Sequence, residues 1–317
     1  METIQPRWIA GFWRRIGALL IDSLVLGFVG FLLGSLLEST FVEMGRWGRI
    51  VGFLVSLGYF GLMNSSLFNG QTLGKRLLKI RVVDEANNTI NLGRSLIRYV
   101  VLGTPFFLNA LQFSAETVPS LLLYPIYIAV FGGLLAIPYL YLFNTVSRQS
   151  LHDLIVGSYV VNTQVEKQDV GPIWKGHPYV IALLLMIATS IPFVAGKLQS
   201  DEVFKNVVSN EQLQSATQRI TNHPAVKEAY VRVVGFTGFD DDGDAERSSF
   251  MMAGVFLRNN DVDNEALAKE FAQAVSAASS EDDENSQVRL MMSYGYDIGI
   301  FSRWRHRQYL FNADDLE

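Results

Sequence analysis

The chain contains no cysteine, which excludes disulfides and thiolate metal sites and leaves its redox compartment open. Four histidines, at positions 152, 177, 223 and 306, are scattered over 317 residues. No nucleophile–base pair or recognisable catalytic set emerges, so an enzyme is not expected. Charge is also scarce: Asp, Glu, Lys and Arg make up 18% of the chain, against about 25% in an ordinary soluble domain. The deficit is concentrated in five long apolar runs, 16–37, 50–68, 96–113, 121–143 and 179–195.

The first run is long enough to cross a bilayer core at about 1.5 Å per residue. The third and fifth are near the short limit, and Pro105, Pro125 and Pro138 interrupt the third and fourth. Arg14 and Arg15 precede the first run, as in a secretory leader. That run is too long for a leader, contains Asp22 and lacks a small-x-small cleavage site, so it reads as a retained helix. The expected fold is a polytopic α-helical membrane domain of four helices plus a fifth, followed by a small α+β extramembrane domain. The boundaries are 1–163 for the membrane domain, 164–178 for a linker, 179–195 for the fifth span and 196–317 for the soluble domain.

The net charge of −5 hides opposite halves. Residues 1–195 carry 14 basic and 10 acidic side chains, and the remainder carries 12 and 21. Lys and Arg in the successive connections number 3, 2, 5, 0 and 3. By the positive-inside rule the N-terminus is cytoplasmic, and five crossings place the tail outside. In a bacterium this is the inner membrane, with the bilayer as the first partner and nucleic acid excluded.

Asp22 is the most unusual residue in the first run. A carboxylate at mid-helix costs about 2.5–3.5 kcal/mol on insertion scales, so it is expected to face other helices or water. Two roles stand open: handling a monovalent cation or proton, with Arg15, seven residues away on the same face, tuning it, or accepting hydrogen bonds that lock the bundle. Asn64, Asn109 and Asn144 are its expected polar companions.

The second basic connection reads Gly70-Gln71-Thr72-Leu73-Gly74-Lys75-Arg76. It fails as a phosphate-binding loop: three residues separate the glycines instead of four, and Arg76 replaces the magnesium-binding hydroxyl. Lys75, Arg76, Lys79 and Arg81 are expected on a surface loop at anionic headgroups. Residues 77–83 alternate like a strand, with a return strand beginning at Ile90, and Asn91 caps the next helix. In the fourth connection His152 beside Asp153 reads either as a proton relay or as a capping cluster.

Three blocks together resemble the RDD family of bacterial integral membrane proteins, over roughly residues 8–163. They are Ala10-Gly11-Phe12-Trp13-Arg14-Arg15 with Ala18 and Asp22, the stretch from Gly70 to Asp84, and Ser150-Leu151-His152-Asp153. The resemblance assigns the signature arginine and two aspartates to Arg15, Asp22 and Asp153. It implies few membrane helices and, for some relatives, cation/proton exchange. The fifth helix and acidic tail are additions that the family pattern does not explain.

The tail reads α-β-β-α-β-β over 203–222, 228–236, 249–257, 264–278, 286–298 and 303–311, with helices on one face of an antiparallel sheet. Asp240, Asp242 and Asp244 are weak metal candidates at a turn, since the neighbouring glycine falls too early for an EF-hand. One member each of Met251-Met252 and Met291-Met292 is expected in the core, and Arg303, Arg305 and Arg307 on an exposed face. The alternative to transport is a membrane scaffold or assembly factor whose tail binds an extracytoplasmic partner. Gly30-x-x-x-Gly34 then offers a close-packing face for another membrane protein or a second copy. No cofactor is expected.

Overall fold

The structure is a computed structural model and describes residues 7–109, 120–199, 210–239, 245–278, 287–312 and 316. Asp240, Asp242 and Asp244 lie outside these residues. The chain divides into two compact units.

The first unit comprises Met1–Leu36, Arg46–Ala195 and Asp297–Ser302. Its first helix, α1 (Phe12–Leu36), is mostly apolar and buries one stripe. Arg15, Ala18, Asp22, Leu26, Gly30 and Gly34 are buried at spacings of three or four and so share a face. Leu20, Leu24, Phe28 and Leu32 point outward, as a lipid-facing surface requires. After the short α2 (Glu38–Met44), which belongs to the second unit, α3 (Gly48–Met63) returns. Next come α4 (Leu73–Leu77), β1 (Ile80–Asp84) and α5 (Leu92–Leu108). Asn91 caps α5 as expected, accepting from the Arg94 amide at 2.9 Å.

The fourth apolar run folds as α6 (Ser120–Tyr127), a wide π turn at Ile128–Gly132, and α7 (Gly133–Phe143). The π turn lies between Pro125 of α6 and Pro138 of α7. α8 (Leu151–Val156), β2 (Ser158–Asn162) and α9 (His177–Gln199) as far as Ala195 belong to the unit as well. Gly157 ends α8 in the left-handed region at φ 60°, where a side chain would be strained. Two helical stretches, Phe12–Leu36 and Tyr124–Phe143, have the length and apolarity to cross a bilayer. α3 and α5, at 16 and 17 residues, are shorter.

β1 does not return on itself near Ile90. It pairs antiparallel with β2, from Ile80 opposite Asn162 to Asp84 opposite Ser158. Ile90 is instead buried with Ala10, Ala18, Ile80, Val82 and Val160. The two basic connections are thus stitched into one layer. Gly30 meets Ile300 and Phe301 of the unit's third segment, so its small side serves that contact.

The second unit comprises Leu37–Gly45, Gly196–Tyr296 and Arg303–Glu317. It holds α10 (Asn210–Thr221), β3 (Val226–Phe239), β4 (Ala245–Leu257), α11 (Glu265–Ser276), and all but one terminal residue of β5 (Val288–Asp297) and β6 (Ser302–Phe311), in the sheet order β3-β4-β5-β6. The expected element order is found, but the sheet is mixed: β4 and β5 run parallel. Parallel neighbours need a crossover, and α11 provides it. Leu267, Phe271 and Val275 of α11 share the core with Val255, Leu290 and Met292. Met251 and Met292 are the buried members of their pairs, and Arg303, Arg305 and Arg307 are exposed.

Candidate functional site

The buried stripe of α1 carries two of the chain's charges inward, and each meets a different connection. Asp22, 1% exposed, receives three donors. The Tyr59 hydroxyl of α3 donates to Oδ1 at 2.7 Å, the Thr72 hydroxyl to Oδ2 at 2.6 Å, and the Gly74 amide to Oδ1 at 2.8 Å. Thr72 also caps α4, its hydroxyl oxygen accepting from the Lys75 amide at 3.2 Å. Gly74 is required by proximity, since a Cβ there would collide with the Ala18 carbonyl of α1. The loop is thereby clamped to the first helix through one carboxylate.

Arg15 does not reach toward Asp22. Its Nη2 pairs with Asp153 Oδ2 at 2.7 Å, and Nη1 donates to the Arg148 carbonyl. Arg98 of α5 approaches the other Asp153 oxygen, with Nε at 2.9 Å and Nη2 at 2.8 Å. Ser158 donates to the same oxygen at 2.9 Å. Asp153 also closes a capping box at the start of α8, receiving the Ser150 amide at 3.4 Å. Burial pushes the Asp153 carboxyl up, but the two guanidinium groups outweigh it and hold the group well below the usual carboxylate range.

Lys75 departs from the expected surface loop and is buried. Its Nζ donates to Asn64 Oδ1 at 2.6 Å and lies 6.0 Å from the Phe60 ring centre. Burial, reinforced by Arg98, pulls its pKa down to about 7, against the opposing pull of Asp22 and Asp153. His152 is also buried, with Nε2 3.4 Å from Asp153 Oδ2 and with Nδ1 lacking a hydrogen-bond partner among the described residues. Burial pulls its pKa down to about 3, so it is neutral near neutrality. Arg76 and Lys79 are exposed, and half-buried Arg81 donates to Asn87 at 3.3 Å.

Of the expected companions, Asn64 holds Lys75 and Asn144 bonds Ser147 and the Gln149 carbonyl, while Asn109 is exposed. Among the described residues no group of three His, Asp or Glu forms a metal cluster. Arg98, Tyr59 and Thr72 are site residues that sequence reasoning passed over. Arg98 had a visible signal, an arginine two positions inside the third apolar run.

A cavity of about 570 Å³ lies above these groups. Arg15, Asp22, Lys75, Arg98 and His152 line its polar end, and Phe60, Tyr99, Phe107 and Ile137 are among its apolar walls.

The family model described as RDD family matches residues 9–157, a span that contains Arg15, Asp22, Lys75, Arg98, His152 and Asp153. Over 124 residues the chain is 26% identical to the uncharacterized protein YxaI of Bacillus subtilis (strain 168), a match covering 32% of this chain and 82% of that protein. Over 151 residues it is 26% identical to the uncharacterized protein YckC of the same organism, covering 48% and 83%. No solved structure matches.

Proposed function

We propose, from the premise that residues 9–157 form an RDD-family domain, that the protein is a multi-pass membrane transporter exchanging a monovalent cation for protons at Asp22. The observation that carries the reading is the oxygen set around that carboxylate. Both Asp22 oxygens, the Tyr59 hydroxyl and the Thr72 hydroxyl gather within hydrogen-bond distance beside the cavity. Oxygen ligands suit a hard cation. Protonating Asp22 removes acceptor capacity and so loosens the grip on Thr72 and Gly74. Proton binding and release of the α4 segment are thereby coupled.

The proposed orientation has the N-terminus in the cytoplasm and the tail outside the inner membrane. Loop charge supports it, and so does the packing of 37–45 with the tail. Tyr294 donates to Glu38, Lys227 donates to the Val42 carbonyl at 2.6 Å, and Arg258 pairs with Glu43.

The test is pH-gradient-driven Na⁺ or Li⁺ uptake into proteoliposomes. Uptake falls at least tenfold in Asp22→Asn, and equal flux in variant and wild type would remove the proposal. One observation favours a second reading, a non-enzymatic scaffold: Asp22 and Asp153 are both saturated by donors from their own chain, as a structural lock requires. Such a protein is captured with a partner in mild detergent, and a reproducibly lone monomer counts against it.

A further inference from the structure

We infer that the cavity binds a single-chain amphiphile with an anionic head, of the fatty-acid class, which enters sideways from the bilayer. This goes beyond the transport reading and holds whether or not ions move. The cavity's shape of polarity carries the inference. Its walls are mostly apolar, drawn from α1, α3, α5 and α7, and its charged residues form one polar end, with Arg15, Arg98 and His152 around Asp153 and with Asp22 and Lys75 joined through Thr72. Leu19, Phe106 and Leu142 line it and are themselves 45%, 43% and 54% exposed, so its mouth lies on the apolar outer surface of the helices. At about 570 Å³ the cavity is large enough to take an acyl chain.

The polar end fixes the sign of the head. Three cationic side chains, Arg15, Lys75 and Arg98, are buried with two carboxylates, Asp22 and Asp153. Asp153 takes both arginines, whereas Lys75 makes no ion pair among the described residues and rests on the neutral Asn64 amide. A buried ammonium facing a cavity without a counter-ion is the natural partner of an entering anion. Beside it, the buried Nδ1 of His152 has no hydrogen-bond partner among the described residues and offers a second polar contact to the head or to its water.

The test uses the full-length protein in phosphatidylcholine nanodiscs and equilibrium binding of radiolabelled palmitate, without any ion gradient. One saturable site per chain is expected, displaced by unlabelled palmitate but not by acetate, which has no chain, or by lysophosphatidylcholine, which has no net charge. Lys75→Met weakens binding at least tenfold by removing the counter-ion. Ser23→Trp does the same by filling the lined region from an exposed position that costs little in folding. Absence of saturable binding, equal displacement by lysophosphatidylcholine, or wild-type affinity in both variants overturns the inference. Loss of cation flux in Asp22→Asn speaks only to the transport reading, because this assay reads binding alone.

Discussion

Lys75 is the residue whose environment most sharply contradicts its sequence context. It lies in a basic stretch, yet its ammonium is enclosed between Asn64, Phe60 and the cavity, and burial draws its pKa from 10.5 to about 7. Between those two values the unfolded chain holds a proton that the folded protein has released. Stability must therefore rise with pH across that window, level off above it, and show the full penalty of a buried charge below about 7. Other groups titrate in the same range, so the quantity to measure is the difference from Lys75→Met. The unfolding free energies of wild type and variant, followed in detergent from pH 6.5 to 10, should converge as pH rises. A constant offset between them would show that Lys75 is not enclosed.

At the scale of elements, the clamp between α1 and α4 rests on a close approach that only glycine permits. Gly74→Val forces the Ala18 carbonyl away and pulls the Gly74 amide from Asp22. A hydrogen bond to a charged acceptor contributes about 1.5–3 kcal/mol, so the segment should open locally by that margin. Trypsin cleavage after Arg76 and Lys79 should accelerate about tenfold or more, while Gly93→Ala, where a Cβ meets only Asn91, leaves it unchanged. Similar rates in all three proteins would mean that α4 is not docked through that contact.

Much of this layer was legible. The buried stripe of α1 follows from Arg15, Asp22 and the glycines at helical spacing, and Asn91 announced its cap. The pairing of β1 with β2 was not, because strands of five residues carry no sequence signal for a partner 78 positions away. Nor was the parallel placement of β4 beside β5, since alternation along a strand encodes burial and not direction.

For the whole molecule, the absence of native cysteine makes single-cysteine labelling unambiguous. Cysteines at 116 and 310 should react with an impermeant maleimide in intact cells, and those at 90 and 165 only after permeabilisation. Labelling at 310 restricted to permeabilised cells would invert the tail's proposed position. At this scale sequence motifs named Arg15, Asp22 and Asp153 but could not pair them. Proximity on α1 suggested Arg15 with Asp22, whereas folding gives Arg15 to a carboxylate 138 residues away and Asp22 to the loop between.

The account depends on that long-range pairing. A double-mutant cycle between Arg15→Met and Asp153→Leu, read by unfolding free energy in detergent, tests it directly. Groups in one buried network are expected to couple by about 0.5–3 kcal/mol. Costs that add to within about 0.5 kcal/mol would mean that the first helix and the α8 segment do not share a charge lock.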